Sequence, residues 1–174
     1  MNRDQVTLSR IEFLHPKVRT EVLEIYGHIC DNILTKNVLL RFTYTLRTVK
    51  EQDALYAQGR TVSGKRVTDA KGGQSIHNYG LALDIVLLVD KDGNGTYESA
   101  SWDLKADYDK DTLSDWMEVV NYFKSKGWVW GGNWKYFIDN PHFEKTFGHT
   151  WRTLQPLVNS GKVIKDKGIN YPNI

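Results

Sequence analysis

Hydrophobic and polar side chains alternate along the segment LRFTYTL, with apolar residues at the even positions of 40–46 and polar residues between them. A period of two is typical of a β-strand that buries one face. A second segment, LALDIVLLV, is apolar at almost every position, which predicts a strand buried on both faces. The turn residues DKDGNG follow it, as expected at the tip of a hairpin.

Helical spacing and cap signals predict four helices. The first covers residues 16–34, with apolar side chains at 18, 22, 25, 29 and 33. The second starts at a capping box formed by Thr48 and Glu51 and stops at Gly59. The fourth, WRTLQPLVNSG, is interrupted by Pro156. The third lies in DTLSDWMEVVNYFKSKG, and its apolar stripe comprises Leu113, Trp116, Met117, Val120 and Phe123.

Short strands are also predicted in WVWGGNW and HFEKTF. Because helices mix with antiparallel strands and no βαβ rhythm is present, the predicted fold class is α+β, with a small antiparallel sheet flanked by helices. Trp128, Trp130 and Trp134 are predicted to lie in the core or in the wall of a cleft, and the core is favoured since aromatic side chains dominate core burial.

The composition narrows the class of protein. The 174 residues suit one domain, and a formal net charge of +2 makes no case for nucleic-acid binding. The single cysteine, Cys30, has no partner for an intramolecular disulfide. No apolar run approaches the ~20 residues of a membrane span, and the start, MNRDQVTLSR, lacks the apolar region of a secretory signal. We therefore expect a globular monomer without membrane insertion.

The segment SIHNYGLALDIV places His77 and Asp84 in a stretch that otherwise predicts buried strand. A buried carboxylate is costly unless it is paired or bound to a metal. Gly80 lets the backbone bend, so that both side chains can reach one point. A catalytic zinc site needs three protein ligands and one open position, and His142 in DNPHFE is the best third ligand. Asp139, three residues earlier, is then free to act as general base.

The remaining histidines supply the alternatives. His15 precedes a helix, His28 lies on a helix flank and His149 lies in a polar turn. We interpret all three as structural, because a lone histidine is more often a structural residue than a ligand. His149 nevertheless competes with His142 for the role of third ligand.

Two motifs, SIHNYGLALDIV and GWVWGGNW…DNPHFE, resemble the zinc peptidases that cut the D-amino-acid peptides of bacterial cell walls. These are the VanY-like D,D-carboxypeptidases and the phage L-alanyl-D-glutamate endopeptidases, which share a fold with the hedgehog signalling domain. The resemblance extends upstream to TYTLRTVKEQDALYAQGRTVSGKRVTDAKGG and covers residues 40–147. The pattern is most similar to the endopeptidase branch, which includes phage lysins and bacterial wall-recycling enzymes.

This resemblance implies roles for the metal-binding residues. The family motif S-x-H-x-x-G-x-A-x-D falls without a gap on residues 75–84. It implies that His77, Asp84 and His142 bind one zinc ion. Asp139 takes the catalytic position of the family's D/E-x-x-H motif and would transfer protons during hydrolysis.

Three further residues correspond to family positions. Arg47 matches the arginine after the first strand, which implies a catalytic and substrate-binding role in holding a substrate carboxylate or the developing oxyanion. Gln52 and Ser75 are predicted to bind substrate as well. The alternatives are ordinary ones: an exposed strand arginine, a helix-surface amide and a strand hydroxyl.

The resemblance implies hydrolysis of a peptide bond in the peptidoglycan stem peptide, most specifically the L-Ala-D-Glu bond. A D-alanyl-D-alanine carboxypeptidase is the alternative enzyme, and a non-catalytic module that binds metal or wall ligands is the alternative of another class. We expect one catalytic domain over residues 1–174 without a separate wall-binding domain. With no visible signal peptide, the protein would be phage-encoded or bacterial and would act on the cell wall after release.

The segment DKDGNGTYES resembles the start of a calcium loop. Oxygen-bearing side chains occupy its first, third and fifth positions, namely Asp90, Asp92 and Asn94. Ser101 stands where such loops carry a bidentate glutamate, although Glu98 and Asp103 could complete a looser site. Two interpretations therefore stay open, a Ca²⁺ site and a glycine-rich turn with solvated acids.

Overall fold

The computed structural model describes residues 3–174, and within them no helix is both long enough and apolar enough to cross a bilayer. The helices are α1 (Gln5–Ile11), α2 (Pro16–His28), α3 (Val49–Ala57), α4 (Asp115–Ser125) and α5 (Trp151–Asn159). The strands are β1 (Val38–Tyr44), β2 (Ala82–Val89), β3 (Ser99–Ser101), β4 (Val129–Trp130), β5 (His142–Glu144), β6 (Val163–Asp166) and β7 (Ile169–Pro172). A π-helical turn (Ile29–Ile33) prolongs α2, and 3₁₀ turns cover Ile76–Tyr79 and Gly131–Asn133. The predicted α+β class is confirmed.

Strand β2 is the centre of the main sheet, in which all pairs are antiparallel. Strand β1 lies along one edge of β2, while β5 and β3 share the other edge, at its beginning and its end respectively. Strand β4 extends the sheet beyond β5. Every residue of β2 except Asp84 is buried, which explains its almost continuous apolar sequence. Asp84 is therefore the one position at which this strand reaches a surface.

The hydrophobic core joins this sheet to helices α2 and α4, each of which turns one apolar stripe inward. The fully buried members of the two stripes include Val18, Val22, Ile25, Trp116, Val120 and Phe123. Two residues of the predicted α4 stripe do not fit. Leu113 precedes the helix, which begins after the N-cap Ser114, and is 55% exposed, while Met117 is only partly buried. Val119 occupies the core instead.

The sequence pattern does not predict α1 or the β6–β7 hairpin, because contacts distant in sequence hold both in place. The side chain of Asp4 caps α1 and pairs with Arg41 on β1 at 2.7 Å. His15 Nε2 donates to the carbonyl oxygen of Pro172 at 2.8 Å and so ties the start of α2 to β7. This placement agrees with the structural interpretation of His15.

Candidate metal centre

His77 lies at the entrance to β2, in the 3₁₀ turn Ile76–Tyr79. Gly80 follows with a φ of 69°, in the left-handed region that glycine adopts without strain. A Cβ at this position would lie 2.7 Å from the backbone nitrogen of His15, so a larger residue is also excluded by space. The bend at Gly80 turns the chain into β2 and leaves the buried His77 ring beside Asp84.

Strand register brings His142 to the same point. Asp84 on β2 pairs directly with His142 on β5, and directly opposed residues have Cβ atoms about 4.5–5.5 Å apart. Asp84 Oδ1 lies 3.2 Å from His77 Nε2 and 3.1 Å from His142 Nδ1. The two imidazole nitrogens are 3.2 Å from each other. The three residues predicted to bind metal therefore converge.

An acceptor orients the outer nitrogen of each imidazole. His77 Nδ1 donates to the carbonyl oxygen of Thr45 at 2.7 Å, and His142 Nε2 donates to the Glu144 carboxylate at 3.1 Å. Because an oxygen accepts at each outer nitrogen, the inner nitrogens, His77 Nε2 and His142 Nδ1, are the ones that can offer a lone pair to a metal ion. Hydrogen bonds of this kind fix metal-ligating histidines. Sequence reasoning missed Glu144, although alternation along a strand places it on the same face as His142.

The electrostatics of the centre keep Asp84 ionised. Burial favours the neutral carboxyl, but the nearby His77 and His142 outweigh it and hold the pKa of Asp84 far below its ordinary value. Burial also opposes charge on His142, whereas hydrogen bonds to Asp84 and Glu144 raise the pKa of this imidazole to about 9. The guanidinium of Arg47 adds positive charge, with Nη2 3.7 Å from Asp84 Oδ2.

This geometry fits a divalent metal ion. Ligand atoms about 2.0–2.1 Å from a tetrahedral centre lie roughly 3.3 Å from one another. The separations among the three inner atoms are 3.1–3.2 Å. His77, Asp84 and His142 form a group that could hold a metal, and all three line one cleft. Two imidazoles and one carboxylate beside a cleft are the donor set of a catalytic zinc site.

Asp139 stands beside this centre, on the loop that leads into β5. Its N–H donates to the carbonyl oxygen of Gly131 at 3.1 Å, and its own carbonyl accepts from the His142 N–H at 3.2 Å. A Cβ on Gly131 would lie 2.5 Å from the Asp139 carbonyl oxygen, so only glycine lets the two segments approach. Burial, followed by repulsion from Asp84, raises the pKa of Asp139 above its ordinary value. Such a shift suits a general base.

Arg47 follows β1 and points toward Asp84. Its Nη1 donates to Gln52 Oε1 at 3.0 Å, and its guanidinium carbon lies 4.3 Å from the centroid of the Tyr44 ring. Gln52 is fully buried, and its amide also donates to the carbonyl oxygen of Ala70 at 2.8 Å. The position of Gln52 therefore suits holding Arg47 in place, rather than the direct substrate contact predicted from the sequence.

A cleft of about 520 Å³ opens over the metal-binding group. Its wall includes Arg47, Ser75, Trp134, Asp139 and Glu144. Ser75 is thus placed beside any molecule in the cleft, and its role in substrate binding stays a prediction.

The three tryptophans before β5 divide between core and cleft. Trp128 and Trp130 are buried as predicted, and Trp130 Nε1 donates to the carbonyl oxygen of Asn140 at 2.7 Å. Trp134 takes the alternative position in the cleft wall rather than the favoured one in the core, because this side chain is only partly buried and lines the cleft. Its ring centroid lies 5.0 Å from that of His142. The 3₁₀ turn Gly131–Asn133 redirects the chain away from the core just before Trp134.

The other histidines lie apart from this group. His149 Nδ1 is 3.2 Å from the hydroxyl of Thr153, at the start of α5. His28 stacks on Tyr122, with ring centroids 4.3 Å apart. Neither belongs to the group formed by His77, Asp84 and His142.

Residues 68–145 match the family described as D-alanyl-D-alanine carboxypeptidase. The resemblance predicted from the motifs is confirmed over these residues. The matched segment of this carboxypeptidase family contains His77, Asp84, Asp139 and His142, and therefore the whole metal-binding group.

Two known proteins are similar to this chain. Peptidoglycan L-alanyl-D-glutamate endopeptidase CwlK of Bacillus subtilis (strain 168) is 49% identical over 109 residues, which are 63% of this chain and 62% of CwlK. The chain thus spans less than two thirds of that relative's length. The crystal structure of Serratia marcescens L-Ala D-Glu endopeptidase ChiX superposes with a TM-score of 0.51 at 22% identity, over 82% of this chain and 88% of ChiX. This second likeness supports the fold.

The loop after β2 forms a self-contained turn. Asp90 accepts hydrogen bonds from the backbone N–H groups of Gly93, Asn94 and Gly95, at 2.8, 3.2 and 2.8 Å. Carboxylate oxygens of Asp90, Asp92 and Glu98 lie within 4.8 Å of one another. Neither the family match nor the relatives support Ca²⁺ at this loop, so that interpretation gains nothing from them.

Replacing Glu144 by glutamine is expected to weaken zinc binding about 10–100-fold, the usual cost of removing a partner that orients a ligand. The amide would keep the shape but lose the charge that draws the His142 Nε2 proton. Competition against a chromophoric chelator, without substrate, measures the affinity. Glu24→Gln, at an exposed site on α2, is the matched control and should bind zinc as the unmodified protein does. Equal affinities for the two variants would contradict the prediction.

Proposed function

We propose that this protein is a zinc-dependent peptidase that hydrolyses the L-Ala-D-Glu bond of the peptidoglycan stem peptide. The observation that carries the proposal is the convergence of His77, Asp84 and His142 within 3.1–3.2 Å beside a cleft that also contains Asp139. The activities of CwlK and ChiX, both L-Ala-D-Glu endopeptidases, favour this bond.

His77, Asp84 and His142 would hold the zinc ion. A bound zinc ion supplies Lewis acidity, which makes water a better nucleophile and polarises a carbonyl group. Asp139 accepts a proton from the attacking water and passes it to the departing amine. The pKa of Asp139 is raised toward neutral pH, where a carboxyl group can both accept a proton and return it. Its loop, held by Gly131, keeps the carboxylate beside the cleft.

Arg47 would bind negative charge on the substrate. Its side chain is only 12% exposed, so its charge is poorly screened by solvent, and its Nη2 atom faces Asp84 at 3.7 Å. Gln52 and Tyr44 both contact the guanidinium and restrict its motion, which lowers the entropy that ordering it would cost on binding. A substrate carboxylate or the developing oxyanion would then receive charge-assisted hydrogen bonds.

The family description favours a second candidate, removal of the terminal D-alanine by a D-alanyl-D-alanine carboxypeptidase. Digestion of purified peptidoglycan with the zinc-loaded protein separates the two activities. We expect new amino-terminal D-glutamate, detected by amine labelling and chiral chromatography. Release of free D-alanine instead would favour the second candidate. If neither product is formed, the result would favour a non-catalytic module that binds metal or wall ligands.

A further inference from the structure

A second acidic segment, DYDKDTLSDWME, leads from the loop after β3 into α4. Over its twelve residues, carboxylates occupy the first, third, fifth, ninth and twelfth positions, which are Asp107, Asp109, Asp111, Asp115 and Glu118. Loops that enclose Ca²⁺ take their ligands from these positions and from a carbonyl at the seventh, with glutamate at the twelfth. The twelve-residue window that starts at Asp90, with the sequence DKDGNG, has Ser101 at its twelfth position instead.

The backbone of this segment is folded around its first acid. The Asp107 carboxylate accepts N–H hydrogen bonds from Lys110 at 2.7 Å, Asp111 at 3.2 Å and Thr112 at 3.0 Å. Thr112 has a φ of 81°, at the sixth position, where calcium loops make a sharp turn that normally needs glycine. Helix α4 then starts at Asp115, so the last acid, Glu118, lies in its first turn.

Three carboxylate oxygens in this segment are buried without a hydrogen-bond partner. They are Asp109 Oδ1, Asp115 Oδ1 and Glu118 Oε2. Asp109 and Asp115 are only 2% and 0% exposed, and each uses its other oxygen on a backbone N–H, of Thr35 and Tyr108 respectively. Buried carboxylate oxygens without partners are costly, whereas a cation satisfies several of them at once.

The same acids crowd one another. Oxygens of Asp107, Asp109 and Asp111 lie within 4.8 Å of each other. Burial, with repulsion from Asp109 and Asp107, raises the pKa of Asp115 to about 6. Burial, with repulsion from Asp111 and Asp109, raises the pKa of Glu118 to about 7. Among the salt bridges of residues 3–174, none involves these five acids, so nearby side chains do not neutralise the cluster.

We propose that residues 107–118 form a Ca²⁺ site whose side-chain ligands are the five acids Asp107, Asp109, Asp111, Asp115 and Glu118. Ca²⁺ fits better than Mg²⁺ because it accepts six to eight oxygens in flexible geometry, and better than zinc because no nitrogen or sulfur donor is present. The site shares no residue with the His77–Asp84–His142 centre. Through Asp109, which binds both the N–H and the hydroxyl of Thr35, the ion would fasten the segment between β3 and α4 to the end of the π-helical turn.

The test uses the full chain, freed of divalent ions on a chelating resin and then reloaded with zinc at a fixed concentration. Calcium is added and followed by calorimetry, thermal unfolding and displacement of Tb³⁺, whose emission Tyr108 and Trp116 within the segment would sensitise. We expect saturable binding of Ca²⁺ and, at about 100 times Kd, a Tm increase of roughly 5–10 °C. Mg²⁺ should give a much smaller increase. No binding and no Tm shift with Ca²⁺ would overturn the proposal.

Variants distinguish Ca²⁺ binding by these acids from a purely structural role of the same side chains. Glu118→Gln should lower Ca²⁺ affinity at least ~10-fold, since it removes one charge and the bidentate ligand. In calcium-free buffer the same variant should melt at a higher temperature than the unmodified chain, because it relieves like-charge repulsion. Lower Tm values with and without Ca²⁺, and an unchanged Ca²⁺ response, would overturn the proposal.

Asp111→Asn provides a second variant at an exposed position and should also weaken Ca²⁺ binding. Asp92→Asn, in the loop after β2, is the control that removes one acid from the other cluster and should leave the Tm response unchanged. If the response is lost with Asp92→Asn and kept with Glu118→Gln and Asp111→Asn, the ion binds elsewhere and the proposal fails.

Discussion

Replacing Asp139 by asparagine is expected to lower kcat about 10²–10⁴-fold, the range that a positioned general base contributes, while the protein keeps its zinc. Asparagine has nearly the same shape as aspartate, but it takes up no proton from water and returns none to the leaving amine. Asp139 lies outside the group His77, Asp84 and His142, whose inner atoms are 3.1–3.2 Å apart, so zinc binding should not depend on it.

Two measurements on the same preparation check this prediction: zinc content by atomic emission, and initial rates on isolated muropeptides. Asp103→Asn, which neutralises an exposed acid distant from Asp139 in the sequence, is the matched control and should retain full activity. Activity that survives in Asp139→Asn would show that another group takes the proton. A parallel loss of zinc would instead make Asp139 a ligand.

The sequence is most informative where a local pattern and a motif coincide. Strand β2 could be predicted because both of its faces are covered, and the same segment carries the motif that contains His77 and Asp84. The bend at Gly80 follows from a property of one residue type, the ease with which glycine takes a φ of 69°. The pairing of Asp84 with His142 depends on strand register, which residue spacing alone does not give. Spacing therefore left His149 as a competitor for the third ligand, and the family resemblance favoured His142.

Features that depend on packing could not be predicted in the same way. A carbonyl acceptor such as that of Thr45 leaves no trace in a sequence, because every residue carries one. The cleft position of Trp134 follows from a 3₁₀ turn of three residues, too short to show a period. Gln52 matches a family position, yet only the folded chain reveals that its amide is already bound to Arg47 and Ala70.

The acidic segment before α4 illustrates a different limit. Its first apolar residue, Leu113, matches a helical stripe by spacing, but Ser114 caps the helix after it and leaves Leu113 exposed. The cap decides where the helix begins, and the spacing of apolar residues does not. The Ser114 side chain accepts a hydrogen bond from the Met117 N–H at 3.3 Å, so the helix begins directly after Ser114. The residues before Ser114 are thereby released from the helix and form the acidic loop.

Replacing His142 by alanine is expected to abolish zinc binding at micromolar zinc and to reduce hydrolysis to background. The substitution removes one of three ligands, and the remaining His77 and Asp84 leave an incomplete site. The loss should exceed the ~10–100-fold effect of removing an orienting partner such as Glu144. His149→Ala is the matched control, because it deletes the imidazole that competes for this role in the sequence. Its side chain contacts Thr153 and lies apart from the centre, so zinc content and rate should stay unchanged.

The pair of variants is decisive because the two assignments of the third ligand, His142 and His149, predict opposite changes in one measurable quantity, the zinc bound per chain. Equilibrium dialysis with folded protein, verified by circular dichroism, gives that ratio for each variant. If zinc is lost in His149→Ala and retained in His142→Ala, the third ligand has been assigned to the wrong histidine. The register that places His142 opposite Asp84 would then not describe the metal-bound protein, since a strand displaced by one residue presents its other face.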